Sequence, residues 1–136
     1  MNKMIRSQKG FTLIELIMVI VILAILSVVA VPIYVDLRNE ARLASEQGVA
    51  AGVRAGILTF YVDPARGNRT NYPATLDGAT NGACTDANAC FTTVLGQGGV
   101  SQDWTRLSDT TYRSSVNTTN VWTYAPATGT FIKTTT

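Results

Sequence analysis

The chain contains no histidine and only two cysteines, and charged residues make up 15% of its 136 positions, against roughly 25% in an ordinary soluble domain. Without histidine, Ser-His-Asp and Cys-His nucleophiles and histidine-ligated zinc cannot be assembled. A Gly-rich phosphate loop is also missing, so nothing in the chain binds a nucleotide in the usual way. Lys plus Arg number 11 and Asp plus Glu 9, a net charge of +2 that is too balanced for a nucleic-acid binder recognised by bulk charge. These absences point away from an enzyme and call for no cofactor. The apolar content, 46%, is ordinary only as an average over two unlike parts.

Those apolar residues collect near the N-terminus. From Leu16 to Val31 the only polar side chain in 16 residues is Ser27, and counting back to Phe11 gives 21 residues interrupted only by Thr12 and Glu15. At about 1.5 Å per residue, such a helix reaches roughly 32 Å, the thickness of a hydrocarbon core. Ahead of it, MNKMIRSQKG carries Lys3, Arg6 and Lys9 and no acid. The positive-inside rule therefore keeps the short N-terminus in the cytoplasm and sends the rest outward.

Two plainer readings compete. A secretory signal peptide needs a small-x-small cleavage site after the apolar run, and Pro32-Ile33-Tyr34-Val35-Asp36 offers none, although Ser27 to Ala30 includes small residues. A simple anchor accounts for the length and flanking charges but not for Glu15, an ionisable group inside the apolar segment that is costly there unless it snorkels or is paired.

Lys9-Gly10-Phe11-Thr12-Leu13-Ile14-Glu15 followed by the aliphatic run resembles the N-terminus of type IV prepilins, whose close relatives are the type II secretion pseudopilins. The resemblance is strong from Lys9 to about Tyr34. It implies cleavage of the Gly10–Phe11 bond by a prepilin peptidase and N-methylation of Phe11. It also implies that Glu15 matches the amino group of a neighbouring subunit in a helical homo-oligomeric filament. The implied partners are the membrane, an inner-membrane assembly platform and an assembly ATPase. The implied locations are the inner membrane for the precursor and the cell surface for the fibre. Cleavage removes three cationic side chains and creates a cationic amine one helical turn from Glu15, so two charges that lose water together have reason to pair.

The expected organisation is a leader over 1–10, an N-terminal helix over 11–62 whose 11–31 portion crosses the membrane or forms the filament core, and a globular head over 63–136. The fold class is α+β: a long helix packed on a small antiparallel sheet. Pro32 lacks an N–H, which predicts a kink or local unwinding near Ser27 to Pro32 and marks an assembly position. Beyond it, Val49, Val53, Ile57 and Phe60 share a helix face. Gly48, Gly52 and Gly56 recur every four residues beside that face, a groove suited to another backbone, either the chain's own sheet or a neighbouring helix.

Composition changes at Asp63-Pro64. The remaining 74 residues hold 17 threonines and 7 of the 11 glycines, a strand-and-turn pattern. Thr111 to Val116, Val121 to Ala125 and Thr130 to Lys133 read as an antiparallel meander with Tyr112, Trp122, Tyr124 and Phe131 on one apolar face.

Cys84 and Cys90 flank five residues in an exported segment, which reads as a disulfide closing a short loop; a two-thiol metal site is the poorer rival. Asp77, Asp86, Asn88, Asp103 and Asp109 are oxygen donors of the kind calcium takes, but no EF-hand spacing joins them, so they read as turn residues and no metal is assigned. Arg66, Arg69, Arg106 and Arg113 read as a solvated face, with nucleic-acid contact as the weaker alternative. Tyr34, Phe60 and Tyr61 do not have the spacing of an electron-transfer stack. The main reading is a type IV pilin, a structural subunit. A pseudopilin of a type II secretion system and a membrane-tethered binding module are the alternatives, and the two cysteines favour the pilin within the family resemblance.

Overall fold

The computed structural model describes residues 10–63, 65 and 71–135. The chain divides into two compact units, Met1–Asn39 and Glu40–Thr136. One helix, α1, runs from Leu13 to Val62. Its first portion is built from Leu, Ile, Val, Met and Ala; its second from Ala, Arg, Glu and Leu, all compatible with helical packing. It stops before Asp63, which precedes a proline and is thereby pushed out of helical geometry. Asp63 Oδ1 then accepts the Ala65 N–H at 3.0 Å, turning the chain.

In the first unit the helix stays hydrogen-bonded through Ser27 to Pro32, so the unwinding expected there does not occur. Proline removes one donor, and a long flanking helix retains enough bonds to continue. Ser27 Oγ donates to the Leu23 carbonyl at 2.7 Å, hiding the one polar side chain of the apolar run in the backbone.

The second unit places the C-terminal part of α1 with a five-stranded antiparallel sheet of order β1-β2-β3-β4-β5: Gly82–Ala83, Trp104–Arg106, Thr111–Ser114, Asn120–Ala125 and Thr130–Thr135. Every neighbour in space is a neighbour in sequence, the meander that the Thr-rich alternation predicts. β1 and β2 are two and three residues long, too short for their alternation to be read from sequence. Tyr112 pairs with Trp122 and Tyr124 with Phe131, so the register stacks the aromatics on one face.

That face meets Ala50, Val53 and Ile57 of α1, all fully buried. Phe91, also fully buried, sits at the centre: its ring is 4.4 Å from Tyr112, 5.3 Å from Trp104 and 5.8 Å from Phe131. Glu46 extends the helix stripe by one turn and is buried, with Oε1 taking the Trp122 indole N–H at 2.9 Å and lying 3.3 Å from Lys133 Nζ. Arg54 lies over the Trp122 ring at 5.6 Å and donates its Nε–H to the Phe131 carbonyl at 2.9 Å.

The glycine groove takes the chain's own backbone, as expected, but from a connecting segment and not from a strand of the sheet. A Cβ at Gly56 would collide with the Val94 carbonyl, and one at Gly52 would stand 3.3 Å from Leu95, so the close approach is made by the connecting segment after Phe91. Gly48 faces open space. At the β4–β5 turn, Gly129 has φ 67°, and a Cβ there would strike the Tyr72 ring, two independent reasons for glycine.

Candidate functional site

Two regions carry the polar groups singled out from sequence. At the start of α1, Gly10 is outside the helix and Phe11 is 90% exposed. Thr12 occupies the cap position, and its carbonyl receives the first helical bond from Leu16 N at 3.3 Å. Glu15 reaches back: its Oε2 accepts the Thr12 N–H at 2.9 Å and the Thr12 hydroxyl at 2.7 Å, while Glu15 N–H donates to Thr12 Oγ1 at 3.3 Å. This is a reciprocal capping box, with threonine three residues before glutamate. The signal, Thr-x-x-Glu ahead of an apolar run, was available in the sequence and was missed by reading Glu15 only as a charge awaiting a cation. The acid also sits at the positive end of the helix dipole.

Beyond the cap, α1 holds an 18-residue window with a mean hydropathy of 3.2 and none of its residues buried. Leu13, Val28 and Ile25 are exposed by 76%, 76% and 65%. At about 25 cal/mol per Å² of apolar surface, water is a poor solvent for such a helix, so lipid or other apolar helices must cover it. Pro32 lies inside the helix, directly after the aliphatic run that ends at Val31.

In the second unit the structure gathers several candidate polar residues for a different purpose. Asp77 is buried; its Oδ2 accepts the Phe91 N–H at 2.9 Å and its Oδ1 lies 3.0 Å from Arg106 Nε. Arg106 also donates to Asn81 Oδ1 at 2.7 Å and to Asp109 Oδ1 at 2.8 Å. Burial disfavours the Arg106 charge, but the adjacent Tyr112 hydroxyl, the hydrogen bond to Asp109 and the Asp77 carboxylate outweigh it and hold its pKa above the ordinary value. Burial, with Asp77 beside it, pushes the Tyr112 hydroxyl well above the usual tyrosine range. Phe91 has φ 62°, a left-handed conformation that a bulky residue adopts only when held. Asp77 holds its amide, and the Cys84–Cys90 disulfide ends at the preceding residue.

Arg106 is therefore a core residue, 7% exposed, and not part of a basic face; Asp77 is spent on it and is no cation donor. Asp103 accepts from the Ser115 hydroxyl at 3.0 Å, and Asn88 ties Thr80 to the disulfide loop. Asp86 is exposed. Arg66 and Arg69 lie outside the described residues, and Arg113 is half-buried. Among the described residues no three His, Cys, Asp or Glu side chains are grouped to hold a metal ion. The head contributes a stapled, hydrogen-bonded scaffold, and the conspicuous unsatisfied surface belongs to the N-terminal helix.

Residues 5–31 match the family model of the prokaryotic N-terminal methylation motif. The chain is 32% identical over 93 residues to the fimbrial protein EcpC of Eikenella corrodens, covering 68% of this chain and 60% of that protein. It is 53% identical over 47 residues to the type IV narrow pilus major component PilA5 of Thermus thermophilus, 35% of this chain and 40% of the relative. With the type IV major pilin protein PilE1 of Neisseria gonorrhoeae it shares 37% identity over 67 residues, 49% and 41% of the two chains. The chain thus spans between two and three fifths of the relatives it matches. No solved structure matches. The methylation motif, the capped apolar helix that carries it and the likeness to fimbrial and pilin proteins together support this chain as a member of the type IV pilin family.

Proposed function

We propose that the chain is the precursor of a structural subunit that polymerises into a pilus filament through its apolar N-terminal helix. The observation that carries this reading is the uncovered 18-residue apolar window in the helix that bears the methylation motif. Lipid covers that surface in the precursor; sister helices cover it in the fibre. The subunit is a building block and not an enzyme.

Processing cuts the Gly10–Phe11 bond. Its setting supports this: Gly10 has no secondary structure and Phe11 is exposed, so a prepilin peptidase finds an accessible, non-helical segment ahead of the helix. Phe11 then becomes a methylated, cationic N-terminus. The Glu15 carboxylate already reaches back to Thr12, the residue next to the new amine, so the cap holds the acid where a cation appears, in the same copy or in an adjacent one. Burial of the helix end among copies makes that pairing obligatory, because an unpaired carboxylate in an apolar bundle is costly. Pro32, by removing one backbone donor, marks a place where the helix ladder is weakest under packing. The precursor sits in the inner membrane with the head outside the cytoplasm. An assembly platform and an ATPase supply the work of extraction.

Electron microscopy of fibres sheared from cells, with intact mass spectrometry of the subunit, tests this. The expected result is a filament whose subunit begins at methylated Phe11. A chain that keeps Met1 and stays monomeric in the membrane overturns it. Short fibres confined beneath the outer membrane would assign the chain to the pseudopilins instead.

A further inference from the structure

Just past its apolar run, α1 carries Asp36, Arg38, Glu40 and Arg42, all four exposed. Among the described residues none of them enters an ion pair. Arg38 lies over the Tyr34 ring at 6.0 Å, and Arg42 borders a cavity with Asp103, whose carboxylate is occupied by the Ser115 hydroxyl. Their order is the unfavourable one for a lone helix. Asp36 and Glu40 are four residues apart, as are Arg38 and Arg42, and like charges at that spacing weaken a helix while opposite charges strengthen it. Exchanging the residues at 38 and 40 would turn both like pairs into attractive ones with no change in composition. The arrangement is wasteful within one chain.

It is complementary between chains. At about 100° per residue, the two acids fall on one side of the helix and the two arginines about 200° away, on the opposite side. We propose that this segment is an interaction surface for a second copy of the same chain, the Asp36/Glu40 stripe of one copy docking on the Arg38/Arg42 stripe of the next. Complementary stripes on opposite faces make a heterologous contact, which repeats from copy to copy without closing. A two-fold dimer through either face would set like charge against like. The stripes thereby select parallel, open-ended packing and penalise pairwise dimers. This inference rests on the polymerisation reading and adds to it which faces meet.

The test uses the full chain expressed in piliated cells, in two forms: R38E/R42E, which is acidic on both faces, and D36R/E40R, which is basic on both. Each alone is expected to insert in the membrane with the head outside, shown by protease accessibility, yet to lose about tenfold or more in sheared fibre yield, since juxtaposed like charges cost several kcal/mol. Co-expressing the two is expected to restore fibres that contain both forms in alternation, detected by cross-linking. Normal fibres from either form alone would overturn the proposal, as would failure of the pair to rescue each other. Absence of fibres from the unmodified chain is a different result, which removes the polymerisation reading itself and the stripe contact with it.

Discussion

The indole N–H of Trp122 on β4 ends 2.9 Å from the carboxylate of Glu46 on α1, and Glu46 is only 2% exposed. Lys133 on β5 completes the cluster at 3.3 Å from the same oxygen. A buried acid thus joins the helix to two strands. Glu46→Ala strands the indole N–H and leaves the lysine without its counter-ion. The expected cost is ~2–3 kcal/mol, less than for a fully buried pair because Lys133 is partly solvated. Glu46→Gln keeps an acceptor for the indole and costs less. Unfolding in detergent followed by tryptophan fluorescence measures both, since Trp104 and Trp122 are in the same core.

Glu15 has two jobs that one substitution separates. Glutamine at that position can still reach back to the Thr12 N–H, as glutamate or glutamine does in a capping box, but it carries no charge. Glu15→Gln is expected to keep the helicity of the N-terminal segment and to depress fibre yield as strongly as Glu15→Ala. Quantifying sheared fibres against membrane-inserted precursor decides it: normal yield from the glutamine variant would show that capping, not pairing with the Phe11 amine, is what assembly requires.

Two of the helix glycines give opposite outcomes. Gly56→Ala drives a methyl into the Val94 carbonyl and is expected to cost about 1–3 kcal/mol despite alanine's better helix propensity. Gly48→Ala meets open space and is expected to gain up to about 1 kcal/mol. Midpoints of urea unfolding rank the pair, and equal midpoints would contradict the packing of α1 against the segment after Phe91.

Tyr124 is buried and donates its hydroxyl to the Pro73 carbonyl at 2.6 Å; burial, with Tyr72 nearby, raises its pKa from 10 to about 12. The unfolded chain releases this proton near pH 10 while the folded chain keeps it, so the unfolded state binds fewer protons in that window. Stability therefore falls as pH rises from about 10 to about 12. Tyr124→Phe is expected to be less stable at neutral pH by about 1 kcal/mol and to show a shallower alkaline decline. A series of unfolding midpoints between those pH values checks both.

Much of this fold could be read along the chain. The apolar run, the helix stripe at Val53 and Ile57 and the aromatic alternation of β4 and β5 are periodic over enough residues for the pattern to be recognised. Less visible were β1 and β2, which are too short to show a period, and Phe91, which lies in no regular element and yet touches three aromatic rings of the sheet. The capping role of Glu15 was legible and overlooked. The fate of Arg106 was not legible: as one of four scattered arginines it looked like solvated surface, and only the arrival of Asp77 from the preceding connection made it core.

What the sequence determined by itself is everything that depends on neighbours along the chain: a helix too apolar for water, a Thr-x-x-Glu cap at its start, a glycine and an aromatic ahead of it, and strands that alternate. Tertiary structure alone decided which polar groups go inside. Glu46 and Trp122 are 76 residues apart, and Tyr124 and Pro73 are 51 apart. A polar side chain is stable in a core only when its partner is delivered there, and that delivery is a property of the folded chain as a whole.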